Sequence, residues 1–270
     1  MAKVFTDDLR EDIQLEAVPQ RIVSLCPSVT ETLVKLGLKE ELAGRTSYCY
    51  RPVGEIEDVE KIGGPKELDF QAIETAKPDL IFAVKEENDR NQIQKLRENY
   101  PVFVFDVNTY AEALDMIIRI GEMTEKQEKA VELSDQIDKA FAQIPQLEVP
   151  RTFLYLVWKD PLMAAGKRTY INSVLSSHGF INCMDPFIQR YVTLNIEVFK
   201  KLKFEVAFLP SEPMEFNEED KKDILAFFPE ADVRLVDGES FSWFGYRMLH
   251  AAEYLTKLIG DFNQEPKKSK

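Results

Sequence analysis

Histidine and cysteine are scarce in this 270-residue chain, and their scarcity excludes several chemistries at once. The only imidazoles are His178 and His250, too few for a multi-histidine zinc site. Cys26, Cys49 and Cys183 form no Cys-x-x-Cys pair and leave an odd thiol, which fits a reducing compartment better than a disulfide scaffold. Long apolar runs are absent as well. None approaches the ~20 residues that a membrane helix needs, so the chain reads as not membrane-spanning. Positive charge is short too, with 34 Lys and Arg against 47 Asp and Glu and a net charge of −13. Neutralising phosphates needs a concentrated basic face, so nucleic acid is excluded as a partner. The one basic cluster, Lys267, Lys268 and Lys270, reads as a solvated end. Catalytic signatures are missing: there is no G-x-S-x-G elbow, no P-loop and no G-x-G-x-x-G after a strand, and Gly63-Gly64-Pro65 reads as a turn. The expectation is a protein that is not an enzyme.

The first twenty residues lack an apolar h-region and carry Asp7, Asp8, Glu11, Asp12 and Glu16, so they are not a secretory signal. As the sequence stands, the expected location is cytoplasmic, or periplasmic or cell-surface if a leader has been removed.

What is present is an ordinary globular composition with room for two domains. Short apolar runs alternate with helical patterns, the βαβ signature of a parallel sheet. Arg21–Cys26, Leu42–Gly44, Ile81–Val84 and Val102–Asp106 read as strands, and Ser28-Val-Thr-Glu31 has the spacing of a capping box that starts a helix ending near Gly37. After Pro150 the same grammar returns in Phe153–Trp158, Val206–Leu209 and Val233–Val236. Between the halves, from Tyr110 to Ile144, apolar residues recur at three- and four-residue steps with no proline, which predicts one long amphipathic helix. The predicted fold is α/β: an N-terminal lobe over 20–109, a linking helix over 110–145 and a C-terminal lobe over 150–262.

In open parallel sheets, ligands bind beyond the carboxyl ends of strands, and here those ends hold the unusual residues. Arg45, Tyr48, Tyr50 and Arg51 follow the second strand; Glu86 and Glu87 follow Val84; Trp158 and Glu212 follow two strands of the second half. Trp243, Phe244 and Arg247 lie beyond Val236. Aromatics mixed with charge suit a bulky, partly polar ligand. Each residue also has a plainer reading. Glu86 and Glu87 fit the solvated first turn of a helix, Trp158 fits a core, and Arg45 and Arg51 fit salt-bridged scaffold. For Trp243, in a Gly- and Ser-flanked aromatic loop, binding is the favoured reading.

The segments Arg21-Ile-Val-Ser-Leu-Cys-Pro-Ser-Val-Thr-Glu-Thr-Leu33, Ile62-Gly-Gly64, Leu68–Ile73, Lys77-Pro-Asp-Leu-Ile81 and Asn195-Ile-Glu-Val-Phe199 resemble the class III substrate-binding proteins of ABC transporters, the cobalamin and iron-siderophore type. The resemblance spans Arg21 to Ile259 and implies two Rossmann-like lobes with parallel sheets bridged by one long α-helix. It implies that the chain holds a metal chelate, corrinoid or ferric siderophore or haem, between its lobes for ABC permease subunits, with no covalent cofactor and an undetermined metal. It places Glu197 and Gln71 at the permease-docking positions, although the family carries an acid where Gln71 stands. An aromatic that family members lay on a corrin ring falls at Arg51, beside Tyr48 and Tyr50. The plain N-terminus points to a leaderless branch. The alternative is a cytoplasmic enzyme or ligand-sensing module of metal or tetrapyrrole handling on the same scaffold.

Overall fold

The computed structural model describes residues 2–264, so the basic cluster at Lys267, Lys268 and Lys270 lies outside the described residues. The chain divides into two compact units. Unit 1 takes the residues up to Val107, Ala111–Ile137 and Phe244–Arg247; unit 2 takes Asn108–Tyr110, Asp138–Trp243 and the residues from Met248 onward.

Unit 1 opens with an antiparallel hairpin, β1 (Lys3–Thr6) and β2 (Asp12–Leu15). Then come β3 (Ile22–Ser24), α1 (Pro27–Lys35), β4 (Leu42–Arg45), a small hairpin of β5 (Gly63–Gly64) and β6 (Glu67–Leu68), α2 (Phe70–Ala76), β7 (Leu80–Val84), α3 (Arg90–Arg97) and β8 (Val102–Phe105). Strands β4-β3-β7-β8 form an all-parallel sheet in that order. β7 and β8 are buried along their whole length, which is why they read as unbroken apolar runs. Val23, Ile81, Ala83, Val102 and Val104 pack against Ile73, Ile93 and Leu96 of α2 and α3. The outer edge of β8 is covered by the loop of the first hairpin. Asp8 N–H donates to the Val104 carbonyl at 3.1 Å, and the Asp7 carboxylate accepts from Val104 N–H at 3.2 Å while pairing with Arg97. The acidic N-terminus therefore protects a sheet edge, a use that its charge pattern does not announce.

The predicted single linking helix is two helices, α4 (Tyr110–Met123) and α5 (Gln127–Ala142). The chain breaks at Thr124–Lys126, where Glu125 takes a left-handed conformation, φ 55°. Gly121 sits so close to the second helix that an added Cβ would lie 2.4 Å from that of Ala130. The break is built from polar residues that in sequence pass for a solvated helix face. The predicted capping box is also absent. α1 begins with Pro27 at its first position after Cys26, with no side-chain cap, and both Ser28 and Glu31 are engaged elsewhere.

Unit 2 contains β9 (Arg151–Lys159), β10 (Leu162–Ala165), α6 (Tyr170–Ser176), β11 (Phe180–Asn182), β12 (Tyr191–Thr193), α7 (Ile196–Phe199), β13 (Val206–Pro210), α8 (Glu218–Phe227), β14 (Asp232–Val236), α9 (Glu239–Ser242) and α10 (Met248–Gln264). Its sheet runs β12-β10-β9-β13-β14, with β11 also paired to β9. The pairings of β9 with β11 and β13 and of β13 with β14 are parallel, as expected. β10 pairs antiparallel with both β9 and β12, so the sheet is mixed. These extra strands are three or four residues long, too short to leave a period in sequence.

Candidate functional site

At the carboxyl edge of the unit 1 sheet, three segments converge: the turn from β3 into α1, the loop after β4 and the turn after β7. The Cys26 thiol donates to Glu87 Oε1 at 3.2 Å. Burial, and then the nearby Glu87 charge, push that thiol well above its ordinary pKa. Cys49 is buried as well and is pushed up to about 11, chiefly by burial, against the opposing hydrogen bonds of Thr30 and Thr46. Both are protonated thiols at neutral pH. Asn88 fixes the turn after β7: its Oδ1 accepts from Val84 N–H at 2.8 Å, and its Nδ2 donates to the Leu25 carbonyl at 3.1 Å and the Pro65 carbonyl at 3.3 Å.

Arg45 is buried and organises the following loop. Nε donates to the Ile56 carbonyl at 2.9 Å and Nη1 to the Cys49 carbonyl at 2.7 Å. That loop projects Tyr48, 59% exposed, and Tyr50, with the Arg51 guanidinium 5.6 Å from the Tyr50 ring centre. The Tyr48 ring lies over Gly64, where an added Cβ would meet it at 3.7 Å. Glu86 and Glu87 are half-buried and precede α3, whose N-cap is Asp89; they belong to the turn, not to the first helical turn.

The segment Phe244–Arg247 also belongs to unit 1 and lies along α1. Phe244 N–H donates to Ser28 Oγ at 3.2 Å and Tyr246 N–H to Thr32 Oγ1 at 3.1 Å. Arg247 makes a two-pronged ion pair with Glu31, Nε to Oε2 at 2.9 Å and Nη2 to Oε1. Arg247 is 8% exposed and Glu31 2%. Gly245 has φ +73° and comes so close to α1 that an added Cβ would lie 2.1 Å from Thr32 Oγ1. Sequence inspection missed the roles of Ser28, Glu31 and Thr32. Their polarity at the i, i+3 and i+4 positions of a buried helix face was the available signal.

In unit 2, the carboxyl ends of β9, β13 and β14 carry the remaining expected residues. Trp158 is 39% exposed, and its indole N–H donates to the Asp160 carbonyl at 3.1 Å in the turn into β10. Trp243 is 4% exposed, with its indole N–H on Glu212 Oε1 at 3.0 Å. Gly238 allows the two loops to meet: an added Cβ would stand 2.5 Å from the backbone N and O of Glu212. Asp237 holds the start of α9, accepting from Glu239 N–H at 3.2 Å and Ser240 Oγ at 2.5 Å. The structure thus presents Tyr48, Tyr50 and Trp158 to solvent. It holds Arg51, Glu86, Glu87 and Glu212 half-buried, and encloses Arg45, Trp243, Phe244 and Arg247.

Gln71 and Glu197 occupy matching places in their respective units. Each is exposed at the second position of a helix, α2 or α7, behind an N-cap side chain. Asp69 accepts from Ala72 N–H at 3.0 Å, and Asn195 accepts from Val198 N–H at 2.9 Å. Each helix then leads into a fully buried strand, β7 or β13. Among the described residues, no group of three or more His, Cys, Asp and Glu side chains could hold a metal ion, and no helix is long and apolar enough to cross a membrane.

Residues 22–231 match the family described as periplasmic binding protein. The vitamin B12-binding protein of Photorhabdus laumondii is 26% identical over 183 residues, covering 65% of this chain and 66%, just under two thirds, of that protein. Among solved structures, the periplasmic vitamin B12 binding protein of Vibrio cholerae superposes with a TM-score of 0.74 at 19% identity, covering 92% of this chain and 99% of that one. The periplasmic heme-binding protein of Roseiflexus sp. RS-1, in its apo form, also gives 0.74, at 18% identity over 90% of this chain and 98% of its own. At such identities the two structural likenesses speak to the fold.

Proposed function

Because the chain belongs to the periplasmic binding protein family, we propose that it carries a metal chelate of the corrinoid or haem type to an ABC transporter. It is a carrier and not an enzyme. The observation that bears most weight is the exposed aromatic loop at the carboxyl edge of the unit 1 sheet, where Tyr48 and Tyr50 stand out from a frame fixed by the buried Arg45. Flat apolar faces beside a guanidinium suit a planar ring that bears carboxylate, amide or phosphate edges. In this reading Tyr48 and Tyr50 of unit 1 contact the chelate, and Arg51, Glu86 and Glu87 meet its polar rim. Trp158 and Glu212 are the candidate contacts that unit 2 offers by itself. Arg45 frames the aromatic loop, Phe244 and Arg247 brace α1 within unit 1, and Trp243 holds Glu212 within unit 2. The 26%-identical vitamin B12-binding relative supports the corrinoid class, and a heme-binding protein that shares the fold is compatible with a planar chelate.

Family membership supports a periplasmic-type setting and partnership with permease subunits. The matched placement of Gln71 and Glu197 supports their role as docking positions, one neutral and one acidic. Docking is tested by reconstitution with the cognate permease: Glu197→Lys is expected to abolish stimulation of its ATPase without changing chelate affinity.

The test of the function itself is direct titration of the purified chain with cobalamin, cobinamide, haemin and ferric siderophores, followed by tryptophan fluorescence and the visible spectrum. At least one chelate is expected to bind with Kd below ~100 μM, about 5.5 kcal/mol. Tyr48→Ala and Tyr50→Ala are expected to weaken binding while leaving the melting temperature in place, because both rings are exposed. If no chelate binds, the proposal fails.

A further inference from the structure

We propose that a cavity of about 300 Å³ in unit 1, beneath the loop between β1 and β2, is a second binding site, for a small monocarboxylate with a short hydrocarbon body. It lies between that loop, the turn after β7, α3 and β8, with Leu9, Glu11, Lys85, Arg90 and Arg97 on its walls. Its apolar side continues the core of the unit, since Ile93 and Val104 are core residues and Leu9 packs on them.

The polar side carries donors with no acceptor. Asp7 holds Arg97 in place through Nη2, and Nη1 stands 3.8 Å from Glu11. Arg97 Nε and Nη1 are both buried, and neither has a hydrogen-bond partner among the described residues. A buried guanidinium donor left without an acceptor is costly, and in this proposal the Arg97 side chain, which lines the cavity, turns one of these donors toward an acceptor bound there and removes that cost. Lys85, at the rim, is already paired with Asp106. Arg90, exposed at the first position of α3, has no ion pair among the described residues. Of the four charged residues that line the cavity, three are cations and one is Glu11, in a protein whose net charge is −13.

The volume sits at the lower end for ligand sites and equals the liquid volume of about ten waters. One carboxylate with a few carbons or a single ring fits; a corrin or haem does not. The site is thus separate in ligand class from the chelate site. Lys85 and Asn88 tie its wall to the turn that carries Glu87, so the two sites are neighbours along the chain.

The test uses the full chain and benzoate as probe, following the Nε–Hε resonance of Arg97 by NMR. A saturable shift is expected, with Kd of about 1 mM or tighter for a ligand of that size. Arg90→Gln, an exposed change, is expected to weaken it roughly two- to five-fold. Arg97→Met is expected to abolish it; if that variant unfolds through loss of the Asp7 pair, Arg90→Gln still decides. The proposal is overturned if the Arg97 resonance does not move by about 20 mM benzoate. It is equally overturned if inorganic phosphate at matched ionic strength shifts it as much, since the hydrocarbon body would then contribute nothing. Unchanged affinity in Arg90→Gln would also overturn the assigned cationic rim.

Discussion

Replacing Arg247 by Met should cost unit 1 much of its stability, because it strips the partner from an almost fully enclosed carboxylate. Glu31 is 2% exposed and both of its carboxylate oxygens are paired by Arg247, so the variant leaves a buried acid without its partner. Removing one member of such a pair costs about 3–5 kcal/mol. The surrounding hydrogen bonds of Ser28 and Thr32 to the backbone of Phe244 and Tyr246 do not involve Arg247, so the segment retains some anchorage and the lower end of that range is the better expectation. At about 2–4 °C per kcal/mol, the melting temperature should fall on the order of 10 °C. Urea denaturation followed by far-UV circular dichroism measures the loss. The double variant Glu31→Leu/Arg247→Met should recover most of it, since apolar residues of similar volume replace buried pairs at little cost. A loss below about 1 kcal/mol would refute the reasoning. So would a variant of undiminished stability that had lost chelate affinity, because Arg247 would then be a ligand contact and not a strut.

Gly245→Ala should destabilise by more than about 1 kcal/mol, because φ is +73° and the new Cβ would strike Thr32 Oγ1; adding Thr32→Ala should relieve the clash but not the backbone strain. A neutral Gly245→Ala would show that the segment does not lie against α1 in solution. His178 is enclosed, and burial lowers its pKa below the ordinary 6.5. The unfolded chain therefore takes up a proton first as pH falls through about 6.5, and stability drops between there and the lower folded value. The loss of urea midpoint between pH 7.5 and 5.5 should be smaller in His178→Gln; equal losses would remove His178 as the cause. Cys26 is pushed well up, Cys49 to about 11 and Cys183 to about 12, all chiefly by burial, so Ellman's reagent at pH 8 should find no fast thiol in the native chain and three in urea. A rapidly labelled native thiol would contradict the enclosure of Cys26 and Cys49, or the raised pKa of the half-buried Cys183.

What could be read from sequence was whatever leaves a local period. Leu80–Val84, Val102–Phe105 and Val206–Pro210 are central or helix-covered strands, and burial on both faces makes them plain apolar runs. The break between α4 and α5 leaves no such mark. It rests on one left-handed Glu125 and on a Gly121 whose purpose is the approach of Ala130, and either residue passes unnoticed in an amphipathic pattern. β1 and β2 were missed because a four-residue strand with two buried residues, Ile13 and Leu15, is outweighed by the acids around it.

The site divides along the same line. Position in the chain located the strand ends correctly, since a parallel sheet puts its loops there whatever their composition. Which side chains face outward was not legible, because that depends on partners far away in sequence. Ser28 and Glu31 have the spacing of a helix cap, and a cap is a local explanation sufficient in itself. The actual partners are Phe244 and Arg247, each 216 residues away, and no window centred on α1 contains them. The same holds for Trp243, whose Gly- and Ser-flanked loop suggests exposure until Glu212 is seen to take its indole hydrogen. Tyr48 and Tyr50 differ from it in one physical respect. Arg45 spends its donors on the carbonyls of their own loop, which shapes the loop from within and leaves the rings uncovered. An aromatic stays exposed where another side chain satisfies the backbone carbonyls of its loop, as Arg45 does beside Tyr48 and Tyr50, and that condition separates them from the enclosed Trp243.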